Sequence, residues 1–265
     1  MSASAPTAPT APTAPSAPAV PRMTRQGFRA LTATQARLLL REPAAVFWLL
    51  FPLGMVILFG NIPAFRTDSD SLGGRSVIDV YVPTIAAMVP LFLGCVMLPM
   101  NMASLREKGI LRRLSVSPVP VAGMLAALLT VMAALITVGV ALIIAVGRLA
   151  FHVRPPSDIG AVIASFVLGS TAVLALGLVV AALAPTAGAA SGSGVPVMVL
   201  NFFFSGLYFP VAQMPHALRE IGGYVPFGAV MAAWSGEGAL WQHLLVLAGY
   251  TVAGSVVAVR AFRWE

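Results

Sequence analysis

Groups able to act as nucleophile, base or ligand are few in this chain and far apart. Among 265 residues there is one cysteine, Cys95, one lysine, Lys108, and three histidines, His152, His216 and His243. The histidines lack the cysteine and carboxylate spacing typical of metal ligands, so no metal site is predicted. Ser191-Gly192-Ser193-Gly194 approaches the Gly-x-Ser-Gly of serine proteases that cut within membranes, with His243 as candidate base. Ser191 stands where that pattern requires glycine. On membrane-crossing helices Ser193 and His243 also fall near opposite ends, about 20 Å apart and beyond hydrogen-bond reach. No Gly-x-x-x-x-Gly-Lys-Ser/Thr phosphate loop is present, since the lone lysine precedes a glycine. The chain is read as carrying no catalytic site and no cofactor of its own, and a single cysteine forms no intrachain disulfide.

The densest cluster of polar groups is Ser104-Leu105-Arg106-Glu107-Lys108-Gly109-Ile110-Leu111-Arg112-Arg113-Leu114-Ser115-Val116-Ser117-Pro118-Val119-Pro120. Leu105, Ile110, Leu111 and Leu114 suit packing against a protein surface while Glu107, Arg112 and Arg113 make polar contacts. The alternative is that these charges only hold a loop on one side of a membrane.

The elements that position this cluster follow from the charge pattern. Uncharged stretches run from Pro43 to Phe65, Val80 to Leu105, Leu114 to Gly147, Ile159 to Leu218 and Gly238 to Val259. A helix crossing ~30 Å of hydrocarbon needs about 20 residues, so the fourth stretch holds two crossings and the others one each. The long stretch divides at Ala184-Pro185-Thr186-Ala187-Gly188, where proline and glycine break the helix. Six spans are predicted near residues 44–61, 81–103, 121–147, 160–183, 191–210 and 239–259. The fold class is therefore all-α polytopic membrane protein. Unbroken apolar runs such as Leu125 to Val146 exclude the alternation of a β-barrel.

Composition agrees, with 58% hydrophobic and 9% charged residues, far from an ordinary soluble domain. A net charge of +7 would suggest nucleic acid in a soluble protein, but here it follows membrane orientation, and no nucleic-acid partner is expected. With the N-terminus inside, the inner side carries Arg22, Arg25, Arg29, Arg37, Arg41, Arg106, Lys108, Arg112, Arg113, Arg260 and Arg263. The outer loops carry only Arg66, Arg75, Arg148, Arg154 and Arg219. Both termini are predicted to be cytoplasmic, in a bacterial plasma membrane.

Residues 1–22 repeat Ala-Pro-Thr or Ala-Pro-Ser and are expected to form a disordered, polyproline-like arm rather than a signal peptide. Residues 23–42 follow as an amphipathic helix lying on the inner membrane surface, with Phe28, Leu31, Leu38 and Leu39 on its apolar face. From Pro210 to Gly238 the chain is too polar to span and too apolar for a free loop, which suits a helix or re-entrant element in the outer leaflet.

Three stretches together resemble the type-2 permease family of ATP-binding cassette (ABC) transporters. Leu40-Arg41-Glu42-Pro43 with Phe51-Pro52 is similar to the family's Arg-Asp-Pro approach to its first span, with Glu42 in place of Asp. Arg106-Glu107-Lys108-Gly109 through Arg112-Arg113-Leu114 to Pro118 is similar to its Arg/Glu-Gly-Thr-Leu-x-Arg-Leu-x-x-x-Pro stretch, with Ile110 in the Thr place. Phe209-Pro210, Met214-Pro215 and Val225-Pro226-Phe227 are similar to its outer segment before the last span. The resemblance implies a connecting helix at 23–42, a six-span transmembrane domain at 43–265 and a coupling helix at about 104–116. It also implies a separate ABC ATPase subunit that binds ATP and Mg, and a second permease, either a copy or a paralogue. The ATPase contact would be Arg106, Glu107, Lys108, Gly109, Leu111, Arg112, Arg113 and Leu114.

No charged side chain lies within a predicted span, whereas ion-driven carriers place one at membrane depth. The pathway is then apolar, small and aromatic, suited to a hydrophobic or amphipathic cargo, and the exporter that the resemblance implies would move a drug, antibiotic or lipid-like molecule of this kind. Asn101, Asn201, Phe202 and Phe203 are the candidate cargo contacts. Gly188, Gly192 and Gly194 are expected to let helices approach closely, and Pro90, Pro99 and Pro196 to kink theirs. A secondary-carrier component or non-catalytic assembly protein is the alternative function.

Overall fold

The computed structural model describes residues 24–69, 74–110, 121–156, 158–208 and 211–261, so the arm at 1–22 lies outside the described residues. In chain order the elements begin with α1 (Arg25–Arg41), α2 (Pro43–Gly60), a 3-10 turn (Pro63–Phe65) and a short hairpin of β1 (Asp68–Ser69) and β2 (Arg75–Ser76). The hairpin is antiparallel, with Asp68 opposite Ser76. There follow α3 (Val77–Phe92), a π-helical segment (Leu93–Met97), α4 (Leu98–Glu107), α5 (Val121–Phe151), α6 (Ile159–Leu183) and α7 (Ala187–Phe204). After a 3-10 turn (Val211–Gln213) come α8 (His216–Gly222), α9 (Pro226–Ser235) and α10 (Leu240–Ala261).

Among the described residues six helices are long and apolar enough to cross a membrane: α2, the continuous column from α3 to α4, α5, α6, α7 and α10. Each keeps its backbone hydrogen bonds internal, as hydrocarbon requires. The second span runs from Val77 to Glu107, beyond the expected 81–103 at both ends. At its start a capping box sets the boundary, with Asp79 N–H donating to Ser76 Oγ at 3.3 Å and Ser76 N–H to Asp79 Oδ2 at 3.2 Å. A carboxylate that reads as a loop charge is thus the third helical residue. The fifth span starts at Ala187, with Thr186 as cap, and stops at Phe204 rather than 210.

The second span is the column around which the others stand, since 83% of its most apolar window is buried against 22% for α2 and 17% for α10. Its middle is the π segment, where Leu98 N–H reaches back five residues to the Leu93 carbonyl. Pro99 explains the widened turn, because it has no N–H for the Cys95 carbonyl and its ring crowds that oxygen. Two glycines from neighbouring spans close on the carbonyls exposed there. A methyl group at Gly177 of α6 would overlap the Gly94 oxygen, and one at Gly194 of α7 would overlap the Cys95 oxygen. Gly194 therefore does allow close approach, whereas a methyl at Gly192 meets nothing within 4 Å and one at Gly188 meets only the Thr186 hydroxyl at 4.0 Å.

α8 and α9 form the element before the last span. Gly228 sits against the Gly222 carbonyl where the two join, and α9 wedges between α6, α7 and α10 with Phe227 fully buried. α10 packs along α6 through Gly254 against Ala175, beside a Thr171–Thr251 hydroxyl pair at 3.3 Å. α1 leans on α5 and α2.

The π-segment contact makes a sharp prediction. Gly177→Ala and Gly194→Ala should each destabilise the protein by about 2 kcal/mol, the usual cost of overpacking. Gly192→Ala, in open space on the same helix as Gly194, should be neutral or stabilising. Thermal unfolding in detergent micelles measures all three.

Candidate functional site

The conspicuous polar constellation lies at the end of the central column. Arg106 and Glu107 are the last two residues of α4, and their neighbour is the short turn Ala184-Pro185-Thr186 between α6 and α7. The last carbonyls of α6 have no partner within their own helix, and neither do the first N–H groups of α7. Arg106 Nη2 donates to the Ala181 carbonyl at 3.2 Å and to that of Ala184. Glu107 Oε1 accepts from the Ala187 N–H at 3.1 Å. A cation therefore caps the negative end of one helix dipole, and the adjacent carboxylate caps the positive end of the next. Small residues make room for this, with Ala103, Ala184 and Ala190 packed together beneath it.

Beyond Glu107 the chain turns. Lys108 is exposed, and Gly109 adopts φ +64°, a left-handed conformation that glycine tolerates and that ends the helix. Ser104 to Glu107 thus belong to the span helix rather than to a separate coupling helix. Leu111, Arg112, Arg113 and Leu114 lie outside the described residues. Beside the clamp is a cleft of about 730 Å³ whose walls include Arg106, Glu107, Pro185 and Arg260.

Of the four candidate cargo residues, Asn201, Phe202 and Phe203 are neighbours near the end of α7, whereas Asn101 stands apart on α4. Asn101 is half-buried near the Arg106 end, its Nδ2 donating to the Met97 carbonyl at 3.2 Å. Asn201 is buried toward the opposite end and joins two elements, with Nδ2 donating to Val197 O at 2.9 Å and Oδ1 accepting from Phe227 N–H at 3.2 Å. Phe202 is buried edge-on against Phe92, with ring centroids 5.4 Å apart. Phe203 is half-buried beside Phe204. Between their terminal turns the spanning helices carry no charged residue. Among the described residues no cluster of His, Cys, Asp and Glu is placed to hold a metal ion.

Sequence reasoning missed a second polar cluster, at the other end of the column. Asp79 Oδ1 accepts from Arg154 N–H at 2.8 Å, and the Arg154 guanidinium reaches Asp68 at 2.8 Å and the Gly74 carbonyl at 2.8 Å. The signal available was Ser76-Val77-Ile78-Asp79 before an apolar run, a capping-box spacing. The clamp itself yields a prediction. Arg106→Ala should cost about 2 kcal/mol in thermal unfolding, because two carbonyls lose a charged donor. Glu107→Ala, at an exposed carboxylate, should cost ~0.5 kcal/mol.

Residues 61–260, well over half of the chain, match the family described as ABC-2 family transporter protein. No curated protein is detectably similar to the chain.

Proposed function

The chain belongs to the ABC-2 transporter family, and from that premise we propose that it is the permease subunit of an exporter powered by a separate ABC ATPase. It is a multi-pass transport component, not itself catalytic. In this reading the Arg106 end faces the cytoplasm of a bacterial cell, both termini lie on that side, and a second permease completes the pathway. The ATPase holds ATP and Mg and grips the chain around residues 106–114. The cargo is a hydrophobic or amphipathic small molecule, since the spans offer apolar and aromatic walls without a buried charge.

The observation that carries this reading is the Arg106–Glu107 clamp. A push on the segment after Glu107 acts on the end of the second span, and the clamp passes it to the α6–α7 turn, so three spans are displaced together. Without the clamp the same push would reach the fourth and fifth spans only through the glycine contacts at Gly94 and Cys95. Such rigid displacement of bundled helices is how an inward-open arrangement becomes outward-open. Of the cargo candidates, Asn101 and Phe203 retain exposed surface for a ligand, while Asn201 and Phe202 act from within the packing.

The reading is tested in proteoliposomes holding the permease with its co-purifying ATPase. Efflux of a hydrophobic dye should require ATP and survive collapse of ion gradients. Efflux that persists without ATP and stops with ionophores would instead establish a secondary carrier. Arg106→Ala should keep the ATPase bound and hydrolysing while transport per ATP falls roughly tenfold.

A further inference from the structure

At the Asp79 end a cavity of about 450 Å³ lies within one subunit, between α3, α5, the loop after α5, and α9. Its lining is layered. Arg148 lies in the last turn of α5, Arg75 in β2 just before α3 and Arg154 in the loop after α5, while Ile144, Val162 and Met231 lie about one helical turn inside their helices. The volume falls in the range of small-molecule sites, and the arrangement of a charged rim over an apolar floor suits an amphiphile.

The charge left over at the rim decides which amphiphile. Asp79 is engaged by Ser76 N–H, by Arg154 N–H and by the Arg154 guanidinium. Arg154 is also paired with Asp68, and the remaining acid of the lining, Glu237, faces Arg219 at 4.0 Å. Arg75 and Arg148 are exposed, and among the described residues neither is within ion-pair distance of a carboxylate. Two guanidinium groups thus face a cavity whose acids are already used. Guanidinium is the side chain whose fork matches phosphate or carboxylate.

We propose that this cavity binds an anionic amphiphile, its phosphate or carboxylate held by Arg75 and Arg148 and its apolar chain lying against Ile144, Val162 and Met231. The occupant enters from the surrounding leaflet as a phospholipid or arrives as an acidic cargo. Both share the same head chemistry. The site stands on its own geometry and is measured without transport, so its failure would leave the permease reading untouched.

Trp234 lines the cavity, its indole N–H held by Ser165 Oγ at 2.9 Å, and provides the reporter. The full chain with Trp48, Trp241 and Trp264 changed to phenylalanine is placed in nanodiscs containing brominated phosphatidylglycerol or brominated phosphatidylcholine. Quenching of Trp234 should be clearly stronger with the anionic lipid, should fall to the phosphatidylcholine level in Arg148→Gln and Arg75→Gln, and should be largely kept in Arg148→Lys. Competition by an acidic amphiphilic drug would identify cargo as a second source of the same chemistry. Equal quenching by the two lipids, or a preference unchanged by both glutamine variants, would overturn the proposal. Full displacement by soluble glycerol phosphate would overturn the amphiphile and leave only an anion site.

Discussion

Helices in hydrocarbon gain nothing by hiding apolar surface from one another, so their association depends on close backbone contact and satisfied polar groups. In this protein that dependence is concentrated on one stretch of the second span. Pro99 opens the turn from Leu93 to Met97, and the exposed carbonyls of Gly94 and Cys95 are covered by Gly177 and Gly194 of two other spans. Only glycine permits this approach, because any Cβ would overlap a carbonyl oxygen. The second, fourth and fifth spans are thereby joined at mid-depth without a single polar side chain.

The same three spans are joined again at the end that bears Arg106. There the means are electrostatic, with one residue capping the finish of α6 and the next capping the start of α7. Two ties at different depths fix both the distance and the relative tilt of the helices, which one tie would not. Opposite charges on adjacent residues suffice because the helix dipoles of a tight antiparallel turn present opposite ends side by side. The segment leaving this point at Gly109 is attached to the end of a three-helix unit held at two depths.

Much of the architecture was legible in the residues themselves. Charge-free stretches located the six spans, and Pro185 located the break between the fourth and fifth, since lipid tolerates little else at those lengths. The stretch from Pro210 to Gly238 reads as an embedded element before the last span for the same reason, and α8 and α9 lie within it. The π segment was not legible, because Pro99 foretells a distortion but not its kind. Arg106 and Glu107 stood out as part of a charged cluster, but their bonds to the α6–α7 turn, some 80 residues away in sequence, are contacts that no local pattern reveals. Gly188, Gly192 and Gly194 were indistinguishable by type, and only the rotation of α7 about its axis selects Gly194 for contact.

The rigid unit is most directly examined by pulsed electron resonance between spin labels at Lys108 and Gly188, in a Cys95→Ala background, on the permease bound to its ATPase with and without nucleotide. The account predicts that this distance stays fixed while the distance from Lys108 to a label at Ala44 changes. A nucleotide-dependent change between positions 108 and 188 would show that the second span moves apart from the fourth and fifth, and would contradict it.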